Sequence, residues 1–391
     1  MASMRLLKVI VLGAASKLDV AEDTITALAC MDVTDVRRGE AHFEIEGWVP
    51  EAWLGELSSL IEDASDGLAF VSVNEAAETA EAPVLLQNQT IAKPFEVLVE
   101  MFSLPGRGDF DPTRITSLML PLFFGFIVGD AGYGVVLLVT AWTIRRRVTT
   151  PIGRLTARIL AMGGAWAVGF GVLVFHEVFA FLVVVPLLGG PIIDRRVDII
   201  LLLVISIAVG LVHLALGLLI GFRDERRRAG LRLAVLRKAS WLIIEAGAVV
   251  LGLVAVGLIA GASAPWALAL LGLGVLLVGL GGGYTDVIEV PSFLTSILSY
   301  VRLGALGIAE ALIGGTVNQL AIAIALSDGF PAWALGAAAF LVGHAAFLAF
   351  AVLIVTLQVI RLHYVEFYPR FYHLDEAGRS RAFRAVTTSP E

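Results

Sequence analysis

The 391-residue sequence contains a single cysteine, Cys30, only six histidines, and charged residues at just 16% of its positions. One thiol excludes a disulfide framework and any cysteine-based metal cluster, and no His, Cys or carboxylate spacing matches a metal site. No cofactor-binding pattern is present. Soluble domains carry about 25% charge, so an ordinary soluble enzyme is excluded too. The net charge of −7 comes without any concentrated basic surface, which argues against a nucleic-acid partner. What the chain has instead is apolar: 58% hydrophobic residues, 40 glycines and a mean hydropathy of +0.87. That composition fits neither a disordered chain nor a coiled coil. It predicts a mainly α, polytopic membrane bundle with a small α+β head.

The head comes first. Its opening, MASMRLLKVIVLGAAS, has the basic start and apolar run of a signal peptide, but Lys8 interrupts the run and no clear cleavage site follows. It reads as the edge of a soluble domain. AHFEIEGWVP (41–50) alternates as a strand does, and EAWLGELSSLIEDA (51–64) has the i, i+3, i+4 spacing of an amphipathic helix. EAAETAEAP (75–83) is an acidic linker, and PGRGDFDPT (105–113) breaks the chain before the membrane. The expected division is a cytoplasmic domain and linker over 1–110, a transmembrane domain over 111–368, and a basic cytoplasmic tail over 369–391.

Apolar blocks long enough to span about 30 Å of hydrocarbon fall at about 114–144, 155–183, 198–221, 239–261, 265–283, 286–326 and 332–368. Basic clusters prefer the cytoplasmic side. Arg145–Arg147 with Arg154, the run at 223–238, and the tail with Arg370, Arg379, Arg381 and Arg384 therefore share one face. Two crossings separate the first pair of clusters, and four separate the second from the tail. Arg195 and Arg196, beside Asp194 and Asp198, lie in the opposite loop as a discordant pair. Without a signal the head is cytoplasmic as well, so block 114–144 enters and leaves on one side, which makes eight crossings. Its GDAGYG (129–134) permits positive φ and close backbone approach. The expectation is a hairpin with Asp130 at its tip; the alternative is one long tilted helix softened by glycine.

Arg302 and Arg361 lie inside the last two blocks. An arginine at the centre of a membrane helix costs about 2.5–3.5 kcal/mol on insertion scales, so both need a reason. One is pairing with a local acid such as Glu310 or Glu366. Thr295, Ser299 and Arg302 recur at i, i+4, i+7 as a polar stripe. Gln358 and Arg361 are an i, i+3 pair, with Tyr364 and Tyr368 continuing that face. Gly304, Ala305, Gly307, Ala309, Gly314 and Gly315 let another helix approach the Arg302 helix closely. The other reason is therefore a partner subunit that brings a carboxylate at mid-membrane.

FFGFIVGDAGYG (123–134), SILSYVRLGALGIAEA (296–311) and LQVIRLHYVEFYPRFY (357–372) resemble the signatures of the membrane a/I subunit of rotary V-type and archaeal A-type ATPases. EGWVPE (46–51), PVLLQNQTIAKPFEVLVEMF (83–102), DPT (111–113) and ISIAVGLVHLALG (205–217) support the likeness, which covers the chain from about residue 40. The resemblance implies an eight-helix stator, its last two helices long and tilted, beside a rotating ring of proteolipids. Arg302 and Arg361, with Gln358, would face the ring carboxylate between two water-filled half-channels. Peripheral stalk subunits and membrane lipid are the other implied partners, in a prokaryotic cell membrane with both termini cytoplasmic. Family members carry a much longer soluble region, with a coiled coil, than the roughly 110 residues found here before the membrane. Glu310 stands where eukaryotic members carry histidine.

Half-channel candidates follow from the expected topology. Glu289, with Glu366 and His373, lies towards the cytoplasmic entrance, and Asp130, with Glu177 and His176, towards the outer one. Glu310 and Glu245 are mid-helix and suit either path, or simply hold helices together. His213 and His344 read as packed or hydrogen-bonded core residues. The rival function is a secondary transporter of an anionic substrate, but no internal repeat is evident and both arginines fall in the last third. A membrane enzyme would need a nucleophile or metal cluster, and none is present.

Overall fold

The computed structural model describes residues 6–74, 83–105, 109–182, 190–327 and 331–372. Most of the acidic linker, His373, and the tail arginines Arg379, Arg381 and Arg384 lie outside the described residues. The chain divides into one unit of residues 1–113 with 372–391 and a second of residues 114–371.

In the first unit, period-2 apolar runs form strands and amphipathic segments form the helices that cover them. The order is β1 (Leu6–Ala14), α1 (Leu18–Leu28), β2 (Asp32–Arg38), β3 (His42–Pro50), α2 (Leu54–Ala64) and β4 (Ala69–Val73), followed by α3 (Glu96–Phe102). The sheet runs β2-β3-β1-β4 with every pair antiparallel. Val9 and Val11 of β1 and Phe43 and Ile45 of β3 pack with Leu18, Ala21 and Ile25 of α1 and Leu57 and Ile61 of α2. The opening segment is a strand of this domain, as expected, and an inner one: Val9 pairs with Gly47 on one side and Val73 on the other. Gly47 has no room for a side chain, since a Cβ there would lie 2.6 Å from the Asp32 carbonyl. Desolvation pushes the half-buried Glu96 carboxyl above its ordinary pKa, although the Asn88 amide donates to it at 3.1 Å.

The second unit is helical. α4 (Thr113–Val128), α5 (Ala131–Arg147) and α6 (Pro151–Leu173) precede a two-strand turn, β5 (Glu177–Val178) and β6 (Phe181–Leu182). After it come α7 (Ile199–Ala229), α8 (Leu231–Ala234), a π turn (Val235–Ala239) and α9 (Ser240–Ala255). The chain continues through α10 (Ala264–Gly282), α11 (Tyr284–Ile288), α12 (Val290–Ser299), α13 (Val301–Ala325) and α14 (Ala332–Arg361). A π turn over Leu362–Phe367 and a 3-10 turn over Tyr368–Arg370 extend α14. Among the described residues, six helical stretches, 152–173, 199–229, 231–255, 261–282, 284–325 and 332–370, are long and apolar enough to cross a membrane. At 1.5 Å per residue, the 25-residue α13 is about 37 Å long and the 30-residue α14 about 45 Å. Both exceed the hydrocarbon thickness, which favours tilt.

α4 and α5 are shorter and decide between the two expectations for block 114–144. Phe124 and Gly125 of α4 meet Gly163 and Trp166 of α6, so α4 runs parallel to α6. Leu137, Gly134 and Ala131 of α5 meet Gly164, Val168 and Gly171, so α5 runs antiparallel to it. The block is a hairpin. Gly129, at φ +50°, makes the turn, and Asp130 caps α5. A Cβ on Gly134 would lie 2.7 Å from the Val168 nitrogen, whereas one on Gly169 would meet nothing within 4 Å. Gly134→Leu should therefore destabilise the purified chain by about 1–3 kcal/mol through overpacking. Gly169→Leu should leave thermal unfolding in detergent close to wild type, and equal effects would contradict this packing.

Candidate functional site

Three layers of polar groups interrupt the apolar bundle. In the middle layer, Arg302 opens α13 just after the chain tightens at Tyr300, whose N–H donates to the Ile297 carbonyl at 3.2 Å. Arg361 ends α14 where the π turn begins. Arg302 is half-buried with a buried Nη1 that has no partner, and Arg361 is exposed. The charges of Arg361 and Glu366 both act on Arg302. Among the described residues, neither guanidinium has an acid within 4.0 Å. Gln358 is half-buried, and its buried Oε1 has no partner. The Ser299 hydroxyl reaches the buried Glu366, whose Oε2 has no partner.

Three expectations change here. The stripe of Thr295, Ser299 and Arg302 does not lie on one regular helix, because the 3-10 joint at Tyr300 divides it. Tyr368 does not continue the Arg361 face: it is fully buried and shares a 2.8 Å hydrogen bond with Thr116. The π turn adds the residue that shifts the register. The small residues on α13 serve largely this chain's own packing. A Cβ on Gly304 would lie 2.7 Å from Ser206 Oγ of α7, and one on Gly314 would lie 2.7 Å from Ala180 Cβ. Ala305 remains exposed.

On the side of the middle layer towards α12, Arg370 is the residue that sequence reasoning missed by counting it in the tail. It belongs to the helical unit. Its Nη2 donates to Ser296 Oγ at 2.9 Å, its Nε to the Glu366 carbonyl at 3.0 Å, and it lies 4.9 Å over the Phe293 ring. The charges of Glu366, Glu289 and Glu245 act on it. Glu245 is buried with Oε2 unpartnered, and Glu289 is exposed. The available signal was an arginine directly following the aromatic run LHYVEFYP.

Beyond the middle layer in the other direction lies the hairpin tip. Asp130 is fully buried and accepts from the backbone N–H groups of Tyr133 (3.0 Å), Phe179 (2.9 Å) and Ala180 (2.7 Å). It thus caps α5 and pins the β5–β6 turn. Glu177 pairs with Arg195 and lies 3.6 Å from Arg196. That resolves the discordant pair, because Arg195 is an internal ion-pair partner and not a loop cation. Glu310 is buried with Oε2 unpartnered, in reach of the charges of Arg195 and Asp130. His176 is buried, with neither ring nitrogen partnered.

His344 bonds Tyr133 through Nδ1 (2.5 Å) and Asn318 through Nε2 (2.8 Å), and His213 Nδ1 meets Tyr300 Oη at 2.8 Å. Both are hydrogen-bonded core residues. Among the described residues, no group of His, Cys, Asp and Glu has a metal-holding arrangement.

No protein-family profile matches the chain. It is 33% identical over 349 residues to A-type ATP synthase subunit I of Methanothermobacter thermautotrophicus, a match covering 87% of this chain and 51% of that protein. It is 32% identical over 373 residues to A-type ATP synthase subunit I of Methanocaldococcus jannaschii, with 84% and 53% covered. It is also 25% identical over 430 residues to V-type ATP synthase subunit I of Chlamydia pneumoniae, with 89% and 62% covered. The chain spans about half the length of the archaeal relatives. With six helical stretches of spanning length and these relatives, it is an integral membrane protein. Over most of its length, this chain is homologous to subunit I of the A-type and V-type ATP synthases.

Proposed function

We propose that this chain is the stator membrane subunit of a V/A-type rotary ATPase, forming two ion half-channels against a proteolipid ring and translocating protons. The observation that carries the reading is the unmatched cation pair. Arg302 and Arg361 stand close enough to act on each other, and among the described residues no acid lies within 4.0 Å of either. Such a pair in a lipid-length segment calls for an anion from elsewhere or a water-filled path beside it.

The physics of that meeting gives the mechanism. A carboxyl group buried in a ring of apolar helices prefers to be neutral, because desolvation penalises its charged form. Beside a fixed guanidinium it gains an opposite charge within a few ångströms, and it releases its proton into one half-channel. When the ring turns onward it reloads from the other. Arginine stays protonated throughout, so it neutralises the passing site without relaying the proton and bars leakage between the channels. Each translocated charge exchanges about 2.3 kcal/mol with every 100 mV of membrane potential.

On this reading the hairpin and the six longer stretches make eight crossings, with both termini cytoplasmic in a prokaryotic cell membrane. Glu289, Glu366 and Glu245 gather around Arg370 on the cytoplasmic path, with Ser299 at its inner end. Glu310 lines the outer path. The carboxylates of Asp130 and Glu177 are taken by backbone amides and by arginines, so both act as braces of that path's wall. Peripheral stalk subunits and the surrounding lipid are the remaining partners.

Arg302→Ala should abolish ATP-driven proton uptake by vesicles holding the reconstituted complex while leaving assembly intact. Arg302→Lys should fail largely as well, since an ammonium on a flexible stem replaces a planar fork poorly. Uptake retained in the alanine variant would refute the assignment. Affinity purification of the tagged chain should bring down a small proteolipid that reacts with dicyclohexylcarbodiimide. A chain that purifies without one and takes up a labelled anion would be a transporter instead.

A further inference from the structure

Arg195 is 1% exposed, although it lies in a connection between β6 and α7. Its Nη1 donates to the carbonyls of Ile127 (3.0 Å), Val128 (3.1 Å) and Gly307 (3.1 Å), and its Nη2 pairs with Glu177. The guanidinium also lies 4.9 Å over the Phe175 ring. The α4 carbonyls and the carboxylate of Glu177 both call for a cation. Ile127 and Val128 carry the open carbonyls at the C-terminal end of α4, the negative end of its dipole. Glu177 is fully buried and would be an uncompensated charge without its partner. Gly307 lies two turns into α13, and its carbonyl ties the arginine to that helix at 3.1 Å.

Gly307 follows Arg302 by five residues, about 7.5 Å along the helix, and Glu310 is one turn further on. Glu310 has a buried, unpartnered oxygen and feels the charges of Arg195 and Asp130. The cation thus stands where it both fixes α13 and acts through its charge on a carboxyl group with an unpartnered oxygen. We propose that Arg195 is a positioning residue of the translocation machinery, clamping the hairpin tip to the helix that carries Arg302 and supplying the fixed positive charge of the outer path opposite Glu310. This rests on the stator reading above. The other titratable groups around it are Glu177 and His176 from the turn, Asp130 and Tyr133 from the hairpin, and His344 from α14, with Arg196 beside it in the chain.

The test uses the complete complex reconstituted in vesicles, with ATP-driven proton uptake followed as the pH on the outer side is varied. Arg195→Gln should lower the rate at least tenfold and move the midpoint of the pH–rate profile upward by about one unit or more, the usual influence of one nearby charge. Adding Glu310→Gln should remove that shift. Arg195→Lys keeps the charge but not the fork, so it should hold the wild-type midpoint at a reduced rate. Glu177→Gln leaves the cation uncompensated and should move the midpoint the other way. It carries the test if Arg195→Gln fails to assemble.

A lower rate at an unchanged midpoint in both the Gln variants of Arg195 and Glu177 would make Arg195 a structural staple only. A wild-type rate and midpoint in Arg195→Gln would remove it from the machinery. In the same preparation, pumping by Arg302→Ala would refute the stator reading itself. An inactive Arg302→Ala beside a wild-type Arg195→Gln would overturn this inference alone.

Discussion

A guanidinium in a low-dielectric interior must be surrounded by oxygen atoms or remain in reach of an anion from outside, and the helical unit is organised around that constraint. Desolvating a cation costs several kcal/mol, and only a well-formed set of acceptors returns it. Four arginines in this unit meet the requirement differently. Arg195 is enclosed by three carbonyls and a carboxylate of its own chain. Arg370 takes a hydroxyl, a carbonyl and an aromatic face, with three acids in electrostatic reach. Among the described residues, half-buried Arg302 and exposed Arg361 have no acid within 4.0 Å. On the stator reading, this gradation from fully satisfied to open marks the surface that the ring would meet.

The hairpin and the interrupted helices are the means of holding those cations. Two short helices turning at Gly129 and Asp130 put the carbonyl end of α4 deep in the bundle, and Arg195 covers it. The joint at Tyr300 and the π turn after Arg361 occur beside the two open arginines, where an uninterrupted helix would set a different register. Small residues allow these irregular pieces to pack closely: Gly134 and Gly164 bring α5 onto α6, and Gly304 brings α13 onto α7. Irregular backbone at membrane depth is tolerable where protein encloses it, and here it is enclosed by named contacts. Tyr368 reaches Thr116 across 252 residues of sequence and Tyr300 meets His213, so both breaks are tied back to other helices.

Much of this was legible in the residues. Alternation over 41–50 and helical spacing over 51–64 marked β3 and α2, because local periodicity decides which face is buried. The apolar blocks marked the spans, and the glycines around Asp130 marked the turn. Arg302 and Arg361 stood out because a charge inside twenty apolar residues is costly wherever it points. Three other features were not legible. Leu6–Ala14 is an inner strand because both neighbours arrive from later in the chain, at 42–50 and 69–73. Tyr368 leaves the Arg361 face because one extra residue per turn is invisible in a sequence pattern. Arg370 was assigned to a tail because the apolar count ends just before it.

The sequence by itself determined where the apolar blocks lie, how far apart the charges stand along each, and that two cations lie in lipid-length segments. Those properties depend on rise per residue and on the transfer cost of single side chains, both of which are local. Only the tertiary structure decided which charges find partners. Arg195 meets Gly307 across 112 positions and Glu177 across 18, and nothing in the intervening composition encodes either meeting. Hydrogen bonds act over about 3 Å and require particular angles. Whether a buried arginine is a satisfied brace or an open site is therefore settled only when the helices have packed.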